Sequence, residues 1–270
     1  SMAEKLKYFV NGQFRESKTD KWYDLHNPST GEITGQAPCC TNDEVLEAIA
    51  AAKAAYPGWS ATPAIKRAQI LYRVRELILE RMDELTMSVA KENGKVWAES
   101  EGDVLKAKEG TELATQVPSL MMGESIMDAS RGYDTVKYRE PLGVFAGIVP
   151  VNFPAMIPFG WMAPTCIAAG NTLVLKAASL TPKTAMLFAQ LYKDAGVPDG
   201  VINVVTCSRN EINTILEHPD VKGITFVGST PVGLKIYEKA AANGKRCQAL
   251  CQAKNHALVM EDCALERTVA

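Results

Sequence analysis

Val144-Phe-Ala-Gly-Ile-Val-Pro-Val-Asn-Phe-Pro154 begins as an uncharged apolar run and ends in a loop that holds an asparagine between two prolines. The run Val144–Val149 is short, rich in β-branched residues and free of polar alternation. Such a run reads as a strand buried on both faces. Downstream the same grammar repeats. Thr172–Lys176, Val201–Val205, Gly223–Val227 and Ala257–Met260 read as strands. Residues 159–169, Pro182–Ala195, 209–217 and Pro231–Ala242 read as helices, with Gly170-Asn171 and Gly196 as stops. Apolar strands alternating with helices predict an α/β fold with a parallel sheet covered on both sides.

Upstream the pattern differs. Residues 5–40 read as short strands and turns, with Asn11-Gly12 as a hairpin signal. Thr41 with Glu44 forms a capping box, which opens an Ala-rich helix ending near Tyr56-Pro57-Gly58. A second helix is expected from Pro63 to about Asn93-Gly94, carrying Ile70, Leu71, Val74, Leu77 and Ile78 at helical spacing. A third covers about 97–117. Residues 132–140 alternate like an exposed or edge strand. No repeat, flexible linker or compositional domain boundary is visible.

Composition narrows the function. The 270 residues suffice for one large domain or two small ones. Lys plus Arg number 29 against 31 Asp plus Glu, so no basic surplus points to nucleic acid or an anionic membrane. Pro141 to Leu175 lacks charge, but five prolines and four glycines interrupt it, so a continuous membrane-spanning helix is not expected. Seven cysteines without a CxxC pair suggest a reducing, cytoplasmic setting rather than a disulfide framework. Three scattered histidines show no metal-ligand spacing. No signal-peptide core opens the chain, and Ser1 before Met2 reads as a cleavage scar.

In a parallel sheet, ligands sit beyond the carboxyl ends of the strands. Three such ends carry unusual residues. Asn152 could donate its side-chain amide to a developing oxyanion, or merely satisfy loop backbone. Lys176 could bond ribose hydroxyls or a phosphate, or snorkel off the sheet edge. Gly228 and Ser229 could present a helix start to a phosphate, or form a plain turn and cap. Cys251 is either a reactive thiol or a buried small hydrophobe. GxGxxG, GxSxG, HExxH and P-loop motifs are absent.

Taken in order, Ile148-Val-Pro-Val-Asn-Phe-Pro154, Gly170-Asn-Thr-Leu-Val-Leu-Lys176, Phe226-Val-Gly-Ser-Thr230 and Ala253-Lys-Asn255 resemble the aldehyde dehydrogenase superfamily. Ser119-Leu-Met-Met-Gly-Glu124 and Ala253-Lys-Asn-His256 look most like its CoA-acylating branch, which acts on methylmalonate semialdehyde. The resemblance implies a Rossmann-type NAD(P)-binding domain over 1–250, including part of an oligomerisation strand near 125–142, and the start of a catalytic α/β domain over 251–270. It implies that Asn152 stabilises the oxyanion of a cysteine thiohemiacetal. Lys176 would hold the adenosine ribose, and Gly228 and Ser229 would meet the pyrophosphate. Ile148, Pro150, Val151 and Val232 would line the cofactor groove. Phe153 and Lys106 would face a small aldehyde. NAD is the implied cofactor and CoA the co-substrate, in a homodimer or homotetramer.

Several positions depart from the family pattern. Leu250 stands where hydrolytic members carry a glutamate base, which favours CoA over water as acyl acceptor. Ser179 replaces a ribose-binding glutamate and Arg209 is added nearby, so NADP is an acceptable cofactor. Gln252 fills a tight glycine position. Lys106 replaces an arginine and lacks its fork geometry. The family's nucleophilic cysteine lies beyond residue 270, so a parent nearly twice this length is expected, with this part inactive alone. The alternatives are a hydrolytic semialdehyde dehydrogenase giving a carboxylate, and a short, catalytically dead paralogue binding a nucleotide or a partner.

Overall fold

A computed structural model describes residues 3–269. The chain opens with β1 (Tyr8–Val10), β2 (Gln13–Arg15), β3 (Trp22–His26) and β4 (Ile33–Pro38). Helices α1 (Asn42–Ala61), α2 (Ala64–Glu80), α3 (Met82–Asn93), α4 (Trp97–Ala114) and α5 (Val117–Leu120) follow. Next come β5 (Ser125–Ser130), β6 (Tyr133–Val136) and β7 (Val144–Ile148). A π-helical turn (Ile157–Met162) runs into α6 (Ala163–Ala168). The remainder is β8 (Thr172–Lys176), α7 (Lys183–Asp194), β9 (Ile202–Val205), α8 (Arg209–Glu217), β10 (Val221–Val227), α9 (Thr230–Ala242), β11 (Arg246–Leu250) and α10 (Leu265–Val269).

Seven strands form one sheet in the order β11-β10-β7-β8-β9-β1-β2. The run from β11 to β9 is parallel, as the apolar strands predict, and β1 and β2 add an antiparallel edge. Side chains alternate between two cores. Val144, Ala146, Ile148 and Val174 pack under α1, α8 and α9. Leu173, Leu175, Ile202 and Val204 pack with residues of α2–α4, α6, α7 and the π-helical turn. β5 and β6 form a separate ribbon in which every residue is exposed.

Four expectations need correction. α1 runs through Pro57 to Ala61 rather than stopping there. Trp59 explains this: it is buried, and its Nε1 donates to Ile167 O at 2.9 Å, fixing the last turn against α6. The expected single helix from Pro63 to Asn93 is two, because Arg81 leaves helical geometry (φ −108°, ψ 21°). Residues 257–260 are exposed and lie in no strand; Arg246–Leu250 instead pairs with β10 and completes the sheet. The helix expected over 159–169 begins earlier and starts as a π-helix. There Gly160 and Gly110 let the turn and α4 touch backbone to backbone, since a methyl at Gly110 would overlap the Gly160 carbonyl. Among the described residues, no helix is long and apolar enough to cross a membrane.

Candidate active site and nucleotide cleft

Parallel register brings the strand ends level. Ile148 pairs with Lys176 and with Phe226, and Lys176 pairs with Val205. The sheet reverses its order at β7: β8 and β9 lie on one side and β10 and β11 on the other. Loops leaving such a point in opposite directions open a crevice. A cleft of about 370 Å³ lies there, with α8 and α9 as its walls.

The cleft brings together Ile148, Lys176, Arg209 and Val232. Pro150, Val151, Asn152, Ser179, Gly228 and Ser229 are not among its lining residues. Sequence reasoning missed Cys207, Ile212, Asn213, Leu216, Pro231, Lys235, Ile236 and Lys239. A signal was available. Arg209, Ile212, Asn213 and Leu216 fall at i, i+3, i+4 and i+7 on α8, and Val232, Lys235, Ile236 and Lys239 do the same on α9.

Lys176 ends β8 half-buried, and burial lowers the pKa of its ammonium. Its Nζ has no hydrogen-bond or ion-pair partner among the described residues. β8 lies inside the sheet, so this lysine does not snorkel off an edge. Cys207 lines the floor, and burial pushes its thiol up to about 12, so it stays protonated at neutral pH. At the β10–α9 junction, Gly228 N donates to Leu250 O at 3.1 Å. A side chain at Gly228 would overlap the Phe226 ring, so the close passage needs glycine. Ser229 takes the cap position of α9, yet its side chain makes no cap bond. Its hydroxyl and the Thr230 and Val232 amides are therefore unbonded within the described residues, Pro231 having no N–H to offer.

The Asn152 loop is fixed from behind. Val151 O accepts from Asn93 Nδ2 at 2.8 Å. Asp103, fully buried on α4, accepts from Met156 N at 2.7 Å and pairs with Lys95 at 3.3 Å. Burial raises the Asp103 pKa, and the Met156 amide and Lys95 oppose that shift. Lys95 also sits 3.9 Å over the Phe153 ring. Asn152 itself is exposed, with its side-chain amide unbonded within the described residues.

Lys106 lies elsewhere, in a cavity of about 420 Å³ with Glu109, Trp161, Thr165 and Leu250. Its Nζ pairs with Glu109 at 2.7 Å. Phe153 does not line this cavity, so the two residues expected to face the aldehyde are not brought together. Cys251 is exposed just beyond β11, which excludes the buried-hydrophobe reading.

Comparison with known proteins agrees with this architecture. The aldehyde dehydrogenase family matches residues 14–270. The chain is 44% identical over 269 residues to rat mitochondrial methylmalonate-semialdehyde/malonate-semialdehyde dehydrogenase [acylating], covering 100% of this chain and 50% of the rat protein. It is 46% identical over 267 residues to malonate-semialdehyde dehydrogenase 2 of Geobacillus kaustophilus, covering 99% and 55%. A solved structure from Sinorhizobium meliloti 1021, described as a methylmalonate-semialdehyde dehydrogenase complexed with NAD, superposes with a TM-score of 0.94 at 36% identity, covering 99% and 54%. The chain thus spans about half the length of the curated relatives it matches. A reversed parallel sheet, a cleft at its switch point and an asparagine loop beside it are accounted for together: the chain belongs to the aldehyde dehydrogenase family.

Proposed function

We propose that this chain is the cofactor-binding part of an NAD(P)-dependent aldehyde dehydrogenase that passes its acyl group to CoA. One observation carries the reading: Lys176 ends a central strand with its ammonium unpaired, inside a cleft at the sheet's switch point. In this reading residues 1–250 form the cofactor domain and 251–270 open a catalytic domain. The exposed ribbon β5–β6 is the oligomer contact. A reducing compartment such as the cytoplasm belongs to the same reading.

The residues present suit a nicotinamide dinucleotide, which supplies the hydride acceptor when bound. Lys176 holds the adenosine ribose. Gly228, Ser229 and the first amides of α9 hold the pyrophosphate, while Pro150 and Val151 extend the groove toward the reacting end. The Asn152 amide donates to the oxyanion of the aldehyde substrate. Lys106 and Phe153 contribute to the acyl side. The nucleophile is a cysteine outside this chain. Cys40, Cys166 and Cys207 have their thiols held protonated by burial, with Cys166 and Cys207 raised to about 12. Leu250 offers no carboxylate to activate water, so a thiol that brings its own nucleophile is the fitting acceptor.

Two measurements test the reading. Calorimetric titration should show NAD binding to this chain, weakened about tenfold or more by Lys176→Ala. A protein of the relatives' full length should form NADH from a small semialdehyde faster when CoA is added. No binding by the chain would overturn the cofactor assignment. NADH formation indifferent to CoA would favour the hydrolytic alternative.

A further inference from the structure

Two lysines differ sharply in what their amines do. Burial lowers the pKa of both Lys176 and Lys245. Lys245 is committed: its Nζ donates to the backbone oxygens of His218 and Val221, the second at 2.6 Å. Lys176 is not. Among the described residues its Nζ has no hydrogen-bond or ion-pair partner, and the residue lines the cleft between α8 and α9.

The lining decides what this amine can meet. Ile148, Ile212 and Leu216 give the cleft apolar surface, which solvates an ammonium poorly. The titratable groups beside Lys176 are the thiols of Cys207 and Cys39, and no aspartate or glutamate lines the cleft. No carboxylate therefore fixes the proton on Nζ. An unbonded amine that gives up its proton more readily than an ordinary lysine is a nucleophile toward carbonyl carbon. Arg209 on α8 and Lys235 on α9 face the same cleft without carboxylate partners among the described residues, whereas Lys239 pairs with Glu217 at 2.6 Å. Two free cations on opposite walls draw an anion into the space beside Lys176. At about 370 Å³ that space admits a small carbonyl compound.

We propose that Lys176 is a site of reversible covalent modification by an aldehyde that carries an anionic group. The ammonium first gives one proton to solvent. The neutral nitrogen then attacks the carbonyl carbon and forms a C–N bond. The carbonyl oxygen leaves as water with both remaining amine protons, and a C=N bond is left. No oxidant or reductant is consumed, and water reverses the step. The adduct occupies the cleft. That it excludes a dinucleotide rests on the cofactor reading above; the adduct itself does not.

The test treats the chain at neutral pH with pyridoxal 5′-phosphate, then with glyoxylate, and traps the imine with borohydride. Peptide mass mapping locates the reduced adduct. Lys176 should be labelled first, ahead of the exposed Lys235 on the same cleft. The phosphate compound should label it about tenfold faster than neutral pyridoxal, a gap that salt narrows. Glyoxylate is compared with acetaldehyde in the same way, so the pair that shows the gap identifies phosphate or carboxylate as the preferred anion. Lys176→Arg keeps the charge, removes the nucleophile and should abolish the fast adduct, with an unchanged urea midpoint as the check on folding. Mapping of the unmutated chain decides the site even where that variant fails to fold. Label spread evenly over exposed lysines, or reaching Lys235 first, would overturn the proposal. Equal rates within both pairs would overturn the anionic class. NAD should slow the labelling. Labelling of Lys176 that NAD leaves unchanged would sustain the adduct and overturn the cofactor reading.

Discussion

The Asn152 loop and the cleft between α8 and α9 sit at the same end of one sheet and are built on opposite plans. The loop is tied from behind by side chains of α3, α4 and their connection: Asn93 to Val151, Asp103 to Met156, and Lys95 between Asp103 and Phe153. The cleft is walled by α8 and α9, whose cations point into it without partners, apart from the Lys239–Glu217 pair. One region spends buried polar groups on holding a backbone still. The other keeps its charges uncommitted for a ligand. Position matters in the first, and attraction in the second.

Breaking the loop's support should have the largest effect. Asp103→Ala strands the Met156 amide and the Lys95 cation, and should cost about 3 kcal/mol of stability in urea unfolding. A loss below about 1 kcal/mol would show that the loop is not held from behind.

Glu92 sharpens the same plan one loop further on. It is buried on α3 and accepts from Lys183 N at 2.8 Å and Thr184 N at 2.9 Å, starting the helix that follows the Lys176 loop. Burial pushes its pKa from 4.5 up to about 7, against the pull of those amides and of Lys183. The native state therefore holds the proton more tightly than the unfolded chain. The stability this contributes is full below about pH 4.5 and lost as pH rises to about 7. Unfolding free energy should fall by about 2 kcal/mol from pH 5 to pH 8, and Glu92→Gln should flatten that slope. A wild-type slope retained in Glu92→Gln would assign the titration to another group.

The cleft should show the smallest effect on folding. Arg209→Ala removes an exposed, unpaired cation and should change stability by less than about 0.5 kcal/mol. A larger loss would mean that Arg209 supports α8 rather than a ligand.

The contrast also explains what sequence could and could not show. The central strands were legible because burial on both faces leaves β7, β8 and β9 mostly apolar, with Thr172, Lys176 and Asn203 as exceptions. Asn152, Lys176, Gly228 and Ser229 were visible because each lies at or just beyond a strand end. α8 spans the 209–217 that its sequence predicts, and a Ser208–Glu211 capping box opens it. The loop's supports were not legible. Asp103 and Glu92 read as ordinary helix-face acids, and only long-range packing puts them beneath backbone 53 and 91 residues away. β11 was missed because Arg246-Cys-Gln-Ala-Leu250 reads as polar, and it is a strand through pairing with β10. The 257–260 run is apolar without being a strand, since a short apolar run needs a neighbouring strand to become one.

The π-helical turn at Ile157–Met162 has a consequence for how such a protein can vary. Hydrogen bonds reaching five residues rather than four take up extra chain without lengthening the connection between β7 and β8. The Ile148–Lys176 register therefore fixes the strand ends, while the turn lies in the opposite layer. Trp161 lies in that turn and faces the cavity with Lys106. An insertion or deletion here would rotate Trp161 while the strand register at Lys176 is kept. In the proposed reading, the acyl side and the cofactor side are in this sense separately adjustable, each able to drift while the other is held.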